Sequence, residues 1–282
     1  MRKTILKSAA WAAKSIPASW KSAIYKIKPL ANFIRNTLNR AAPEGLTKVY
    51  VAAGDLKGTK LYLNMHIEKD YWLGTYEPEL QEAVREMLKP GMVVYDIGAN
   101  IGYISLLFAK AVGPEGKVFS FEALPANIER LKQNVRLSQI TTPIEFIHGA
   151  VTDKADPVEF LVHSSTSMGK VQGAAGRDVD YLDKITVPGI ALDEYVKEHN
   201  LPAPDMIKLD IEGGEVLAVN AMKETLLASH PLLFIELHGP ESAKAVAKLL
   251  DETGYTAYHM DKPEQTINLH NPDHWKAYIV AR

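Results

Sequence analysis

The sequence predicts an α/β fold in which mostly parallel strands form a doubly wound central sheet. Two observations lead to this prediction. From Met92 onward, short apolar strands alternate with helical segments, which is the pattern of βαβ units. At residues 96–102 and again at 210–214, an acidic residue ends a strand and glycines follow it, as expected where a strand turns tightly into a helix. With 282 residues, 46% of them hydrophobic, the chain can bury a substantial core.

The composition excludes several classes of site. The chain contains no cysteine, which rules out disulfides, zinc–thiolate sites, iron–sulfur clusters and a cysteine nucleophile. The lack of cysteine fits a reducing compartment, and we expect a cytoplasmic location. No run of about 18 apolar residues occurs, so the sequence predicts no transmembrane helix.

The first 43 residues form a basic segment, which we interpret as an amphipathic helical arm before one domain at residues 44–282. Nine Lys and Arg residues precede the first acid, Glu44, and this leaves 23 of the 32 basic residues against all 34 acidic residues, a formal charge of −11 for the domain. Three interpretations remain: a helix that contacts an anionic membrane surface through residues 1–42, a targeting presequence, or a helix packed on the domain. The apolar residues that predict the helical face are Ile16, Trp20, Ile24, Ile27, Ile34 and Leu38.

The elements follow from local patterns in chain order. β-Branched and aromatic residues with intervening glycines predict a hairpin at Thr47–Asn64, and a helix follows at Glu77–Leu88. The alternation that comes next predicts strands at Met92–Asp96, Lys117–Phe121, Ile144–His148, Met206–Leu209, Leu232–Leu237 and Tyr255–Met260, and helices at Gly102–Val112, Ala126–Ser138, Gly214–Ala221 and Glu241–Thr253. Residues 151–190 break this pattern with glycine, serine and short strands, and we expect a substrate loop there.

The segment from Val93 to Tyr103 is the most informative motif. A strand reaches Asp96, and Gly98 and Gly102 allow a tight turn and a close approach of the backbone to a ligand at a helix N-terminus. A dinucleotide fingerprint places a second glycine where this chain has Asn100. Glu122 ends the next strand, 20 residues after Gly102, where an acid can bind both ribose hydroxyls. The motif therefore predicts a nucleotide-like ligand at the carboxyl ends of the strands.

Four runs in fixed order carry a family resemblance. DIGANIGY at 96–103, FEALPAN at 121–127, KLDIEGGE at 208–215 and IELHG at 235–239 resemble the FkbM family of methyltransferases. The resemblance extends from about Tyr76 to Tyr258 and leaves out the basic arm. It implies a class I Rossmann-like fold that uses S-adenosylmethionine, with seven strands of which the last is antiparallel. Residues 275–281 are the candidate for that strand.

The resemblance also implies the residues that hold the cofactor. It assigns Asp96, Gly98, Asn100 and Gly102 to the methionine and ribose side, and Glu122 to the ribose hydroxyls. The residues it places around the adenine are Ala123, Asn127 and His148, and Asp210 faces the methyl-transfer position.

Two acidic clusters at strand ends are the candidates for catalysis. Asp210 and Glu212 alternate after one strand, and Glu236 and His238 alternate after the next. A carboxylate or the imidazole of this set can take the proton of an acceptor hydroxyl. The carboxylates can also bind a divalent cation, although we assign no metal. For Glu215 we favour an interaction with the helix dipole alone, and Tyr76–Glu77 is a substrate-side candidate.

The leading function hypothesis is O-methylation of a hydroxyl on a sugar, a polyketide or another small-molecule or lipid-linked acceptor. One alternative is an NAD(P)-dependent oxidoreductase, because Tyr258 and Lys262 form a Y-x-x-x-K pattern. A second is a nucleic-acid methyltransferase, prompted by the basic arm. The acidic domain would repel phosphates and the chain has no Pro-Pro pair, so we expect no nucleic-acid partner. A third is a binding module with an inactive cofactor fold.

Overall fold

The computed structural model describes residues 40–163, 168–176, 179–271 and 278–282, together with isolated positions among the first 39 residues. The helix predicted for the basic arm therefore lies almost entirely outside the described residues. The helices are α1 Lys69–Leu73, α2 Pro78–Met87, α3 Tyr103–Val112, α4 Pro125–Ser138, α5 Leu192–Glu198, α6 Glu215–Ala218, α7 Lys223–Ser229 and α8 Pro240–Thr253, with a 3₁₀ turn at Val219–Ala221. Within the described ranges, no helix is long and apolar enough to cross a bilayer.

The strands account for most of the architecture. In chain order they are β1 Leu46–Tyr50, β2 Lys60–Asn64, β3 Val93–Ile97, β4 Lys117–Glu122, β5 Ile144–His148, β6 Ala150–Thr152, β7 Val158–Val162, β8 Lys170–Val171, β9 Asp183–Val187, β10 Gly189–Ala191, β11 Met206–Leu209, β12 Leu232–Glu236, β13 Ala257–His259, β14 Lys262–Thr266 and β15 Tyr278–Ala281.

One large sheet confirms the predicted doubly wound fold. Its spatial order is β14-β13-β15-β12-β11-β3-β4-β5. The strands β12, β11, β3, β4 and β5 run parallel, and β15 is antiparallel to both of its neighbours. The antiparallel last strand is thus confirmed for the described part of residues 275–281. The described sheet has eight strands rather than seven, because Lys262–Thr266 folds back on β13 as an antiparallel hairpin.

The parallel register brings polar residues of different strands to one edge of this sheet. The strand interiors are apolar, with Tyr95, Phe119 and Phe234 fully buried. Lys208 on β11 pairs with Asp96 on β3. Because the carboxyl ends of parallel strands meet at the same edge, the residues that follow β3, β4, β11 and β12 converge there.

The region at residues 151–190 contains more regular structure than a loop. The strands β7, β8 and β9 form a three-stranded antiparallel sheet, and β6 pairs in parallel with β10. Val158, Phe160 and Val187 pack with Ala123 and Leu124 in a small apolar cluster. The segment is therefore a small sheet that starts and ends beside the large one.

The described residues form two compact units, one within 1–81 and 133–139 and the other within 82–132 and 140–282. In the first unit, β1 and β2 form the predicted hairpin, with Leu46 opposite Asn64. The amide N–H of Tyr62 donates to Oδ1 of Asn134 at 2.7 Å. The large sheet belongs to the second unit, and so do all the residues of the site described next.

Candidate functional site

The turn after β3 is built on glycines, as the sequence predicts. Gly98 has a φ of +84°, and a Cβ atom there would lie 1.8 Å from the carbonyl oxygen of Asp210. The amides of Gly98 and Ala99 both donate to the carbonyl of Phe121, at 3.0 and 2.9 Å. Gly102, with a φ of +86°, precedes α3. No side chain fits at Gly98, so the turn can approach both β4 and the end of β11 closely.

Glu122 is the buried anchor of this turn. Its Oε2 accepts the amide N–H of Asn100 at 2.8 Å, and its Oε1 accepts the N–H of Leu124 at 2.9 Å and the Nδ2 of Asn127 at 3.3 Å. Burial raises the pKa of Glu122, although these hydrogen bonds act in the opposite direction. The structure thus brings three predicted cofactor residues together. The Oδ1 atom of Asn100 is buried and accepts no hydrogen bond from the described residues.

Ala123 and His148 lie beside this anchor. In the parallel register of β4 and β5, His148 is the partner of Glu122. The Nε2 of His148 is 3.0 Å from the carbonyl oxygen of Ala123, and the side chain is exposed. Both residues therefore stand at the same edge as the glycine turn, where the sequence predicts the adenine.

Asp96 belongs to a buried polar network. Its Oδ2 accepts the hydroxyl of Ser105 at 2.6 Å, and Ser120 donates to Ser105 at 2.9 Å. Its Oδ1 lies 3.4 Å from the ammonium of Lys208. Burial raises the pKa of Asp96, and the charge of Lys208 offsets part of that increase. The Asp96 carboxylate, which the family resemblance assigns to the cofactor, is thus held mainly by neighbouring side chains.

Lys208 is a residue that sequence reasoning missed. Its side chain is only 2% exposed, yet its ammonium contacts Asp96, lies 3.1 Å from Oδ2 of Asp210 and donates to the carbonyl of Gly98 at 3.1 Å. One buried cation therefore links the glycine turn to the end of β11. The signal available in the sequence was a lysine within the apolar strand Met206–Leu209, two residues before an acid.

The four predicted catalytic side chains converge, and we call Asp210, Glu212, Glu236 and His238 the carboxylate–histidine cluster. The Nε2 of His238 lies 3.7 Å from Oδ1 of Asp210, 3.6 Å from Oε2 of Glu212 and 3.8 Å from Oε1 of Glu236. Glu212 lies in the turn into α6 and has a φ of +53°, in the left-handed region of backbone conformation.

Glu215 requires a correction of the sequence interpretation. It is the first residue of α6, but its carboxylate is fully buried and does more than face a helix dipole. It accepts the hydroxyl of Ser242 at 2.8 Å and the amide of Ile211 at 3.2 Å, and it lies 3.0 Å from Nδ1 of His238. Glu215 therefore orients the imidazole. The partner is 23 residues away, so no local pattern could reveal the contact.

The electrostatics of the cluster follow from its crowding of charges. Burial by itself lowers the pKa of His238, but the hydrogen bond and charge of Glu215, with the charges of Asp210 and Glu236, raise it to about 9. Burial by itself raises the pKa of Asp210, but the charges of Lys208 and His238 outweigh burial and leave that pKa lowered. At neutral pH the cluster therefore pairs an imidazolium at His238 with the ionised carboxylate of Asp210.

The small sheet region borders this cluster. The amide of Ala175 donates to the carbonyl of Gly213 at 3.0 Å, and the ammonium of Lys170 holds the carbonyl of Ala175 at 3.0 Å. A Cβ atom on Gly213 would lie 2.1 Å from the carbonyl oxygen of Ala175. The backbone of the predicted substrate region is thus packed directly against the turn next to Glu212.

Two other sequence candidates belong to other parts of the chain. Tyr258 is on β13 and Lys262 begins β14, so the Y-x-x-x-K pattern spans a hairpin rather than a helix. The guanidinium of Arg282 lies over the Tyr258 ring, 4.7 Å from its centre. Tyr76 and Glu77 belong to the first unit, where Gln81 donates to the carbonyl of Tyr76 at 2.6 Å.

The chain is similar to known methyltransferases of the FkbM family. The model of the Methyltransferase FkbM domain matches residues 96–257, more than half of the chain. The hexuronic acid methyltransferase AglP of Haloferax volcanii is 26% identical over 176 residues, which cover 61% of this chain and 68% of that protein. The 31-O-demethyl-FK506 methyltransferase FkbM of Streptomyces tacrolimicus is 23% identical over 248 residues, which cover 78% of this chain and 90% of that protein.

A solved structure also aligns with the chain. The crystal structure of methyltransferase FkbM from Methylobacillus flagellatus KT is 15% identical in sequence and aligns with a TM-score of 0.46. The alignment covers 92% of this chain and 61% of that chain.

Proposed function

Because the chain belongs to the FkbM methyltransferase family and is an S-adenosylmethionine-dependent methyltransferase, we propose that it methylates a hydroxyl oxygen of a sugar, a polyketide or another small-molecule or lipid-linked acceptor. One observation carries this proposal. Three carboxylates surround Nε2 of His238 at the sheet edge that also carries the glycine turn. The relatives add support, since one is named for a hexuronic acid and another for a 31-O-demethyl substrate.

The glycine turn and its anchor fit the cofactor. Gly98 lets the turn pack closely against the end of β11, and the buried Oδ1 of Asn100 is an acceptor that a ligand amine can use. Glu122 offers two oxygens with about four acceptor positions, of which three are used within the chain. We assign the ribose hydroxyls to Glu122. Further cofactor residues in this proposal are Asp96, Gly102, Ala123, Asn127, His148 and Asp210.

The carboxylate–histidine cluster would receive the acceptor. When bound, the cofactor supplies a methyl carbon whose bond to sulfur breaks as a bond to the hydroxyl oxygen forms, and the hydroxyl proton must go to a base. The candidates for this base are Asp210, Glu212, Glu236 and His238. Because the pKa of His238 is about 9, its imidazole can take the proton only at high pH, where it is neutral. Glu215 fixes the ring of His238, and the backbone at Ala175 limits the space beside Glu212.

The domain boundaries and the arm are part of the same proposal. We assign catalysis to residues 44–282 and acceptor selection to residues 151–190. The nine basic residues of the arm, with no acid among them, support attachment of residues 1–42 to an anionic membrane surface that carries a lipid-linked acceptor. The proposal needs no nucleic-acid partner.

Cofactor binding is tested by calorimetric titration of the full chain with S-adenosylhomocysteine and, separately, with NAD. Glu122→Gln is expected to weaken S-adenosylhomocysteine binding at least tenfold. The matched control is Glu145→Gln, which changes a half-exposed carboxylate on the adjacent strand that pairs with Lys117 at 2.9 Å. Binding of NAD alone would contradict the assignment of the cofactor.

The acceptor is tested with a panel of sugars, among them hexuronic acids, and with transfer of labelled methyl followed by mass spectrometry. A methyl ether survives mild alkali, whereas a methyl ester on a uronic carboxyl is hydrolysed. Alkali-stable product on a hydroxyl supports the proposal. Alkali-labile product alone would assign the methyl group to a carboxylate oxygen instead.

A further inference from the structure

The surroundings of Nε2 in His238 are unusual for a buried imidazole. The side chain is 4% exposed, and the carboxylate oxygens nearest to Nε2 among the described residues lie at 3.6 to 3.8 Å. These distances exceed the usual N–H···O hydrogen-bond range of about 2.7–3.2 Å. The ring nitrogen thus points at three oxygens without bonding closely to any of them.

A contact at Nδ1, the other ring nitrogen, fixes the orientation of the His238 imidazole. Nδ1 lies 3.0 Å from the carboxylate of Glu215, which is itself held by Ser242 and by the amide of Ile211. A hydrogen bond from Nδ1–H to a carboxylate is the usual arrangement behind a metal-binding histidine, since it leaves Nε2 for the ion. An ion bound there would take the place of the Nε2 proton that His238 carries at neutral pH. Glu215 therefore aims Nε2 at the carboxylates.

The spacing of the oxygens and the nitrogen fits one ion. Ligand atoms of Asp210, Glu236 and His238 all lie within 4.8 Å of one another. Atoms bound at about 2.0–2.4 Å to a common ion stand roughly 3 to 4.8 Å apart, depending on the angle between them. The two carboxylate oxygens of Asp210 face different partners, Oδ2 facing Lys208 and Oδ1 facing Nε2 of His238, so Oδ1 is the oxygen placed to bind the ion.

The charge of the site points the same way. Four carboxylates, those of Asp210, Glu212, Glu215 and Glu236, gather around one imidazole, and Lys208 lies 3.1 Å from one of them, Asp210. Buried or half-buried carboxylates need cations to offset their loss of water. A divalent ion would restore the balance.

We propose that Asp210, Glu236 and His238 bind a divalent metal ion of the first transition row. Carboxylates are ligands that Mn²⁺ prefers, whereas imidazole suits Fe²⁺ or Zn²⁺, and this site has two carboxylates and one imidazole. Mn²⁺ is the probe we choose. The role of the ion rests on the proposed function: it would bind the acceptor oxygen and lower the pKa of the hydroxyl. Glu212, adjacent but outside the three ligands, would take the proton.

The test is Mn²⁺ binding by the full chain, measured by calorimetry and by loss of the free Mn²⁺ signal in electron paramagnetic resonance. We expect one site per chain. His238→Ala and Glu236→Gln should weaken it about 100-fold, and Glu215→Gln, which acts through the ring orientation, about 10–100-fold. The control pair is Asp251→Asn and His270→Ala, an exposed contact at 2.8 Å that should leave affinity unchanged.

The outcomes separate this inference from the proposed function. If S-adenosylhomocysteine binds but Mn²⁺ does not bind up to millimolar concentration, the metal site is refuted and the methyltransferase proposal stands. Mn²⁺ affinity that survives both Glu236→Gln and His238→Ala refutes the site as well. Glu236→Gln keeps the test decisive if His238→Ala fails to fold, because the Glu236 side chain is 20% exposed and glutamine has the same shape.

Discussion

Replacing Lys208 with methionine should destabilise the protein strongly at neutral pH. Methionine has nearly the same length and shape, so the substitution removes the charge with little change in packing. The ammonium is 2% exposed, and it lies 3.4 Å from the fully buried Asp96 and 3.1 Å from Asp210. Removing one partner of a buried ion pair typically costs about 3–5 kcal/mol, because the other charge stays in a nonpolar setting. The carbonyl of Gly98 also loses its donor, which adds about 1 kcal/mol.

The cost should depend on pH, and the sign can be worked out. The pKa of Asp96 is already raised, and loss of the lysine raises it further. Above the pKa of the unfolded chain, the folded variant then binds more protons than the unfolded one, so its stability falls as pH rises through that window. At pH 5, protonation of Asp96 should recover part of the loss. The loss should therefore be larger at pH 8 than at pH 5.

The assay is denaturant unfolding followed by circular dichroism at pH 5 and pH 8, together with the melting temperature. A loss of about 3–5 kcal/mol corresponds to about 6–20 °C. Lys223→Met is the control, since its exposed pair with Glu252 should contribute under about 1 kcal/mol. The double variant Asp96→Asn with Lys208→Met should regain most of the stability. A single variant within 1 kcal/mol of wild type at pH 8 would refute the reasoning.

Three further predictions concern the cofactor site and the arm. The pKa of Glu122 is raised, so as pH falls the affinity for S-adenosylhomocysteine should decline at a higher pH than it would with an exposed glutamate. Calorimetry on Glu122→Gln should show weak binding that does not change with pH. Parallel pH profiles of affinity for wild type and variant would refute this. Gly98→Ala should abolish binding of this ligand or cost several kcal/mol of stability in thermal melts, because its Cβ would meet the Asp210 carbonyl. Gly113→Ala, where φ is +69° and the space is open, should cost only about 1–2 kcal/mol. Equal losses in the two variants would show that the close approach at Gly98 is not the cause. Full-length protein should float with anionic vesicles and protein lacking residues 1–42 should not; equal flotation would exclude the arm as the anchor.

The sequence predicted the strands and the glycine turn of the candidate cofactor site well because their determinants are local. The strands at Ile144–His148 and Met206–Leu209 were predicted to the residue, since apolar runs end at polar residues and glycines. The glycine turn was predicted from spacing alone, and the structure adds the reason that Gly98 tolerates no Cβ atom.

The residues that were missed depend on register and on long-range contacts. Lys208 is a buried cation because β11 pairs with β3 and sets it beside Asp96. Glu215, at the start of α6, contacts His238, which comes 23 residues later and follows β12. The pairing of β6 with β10 joins residues almost 40 positions apart. Each of these contacts is specified by strand order in space, which no local pattern contains.

The parallel pairing of β6 with β10 has a consequence for how such an enzyme can diversify. Ala150–Thr152 and Gly189–Ala191 lie side by side, so the chain leaves the main domain and returns to it at neighbouring points. The residues between these two strands form a segment whose two ends are held next to each other. Its length and sequence can change while the register of the large sheet is preserved. Under the proposed function, exchange of this segment between relatives is therefore expected to change the acceptor and to leave the proposed cofactor residues intact.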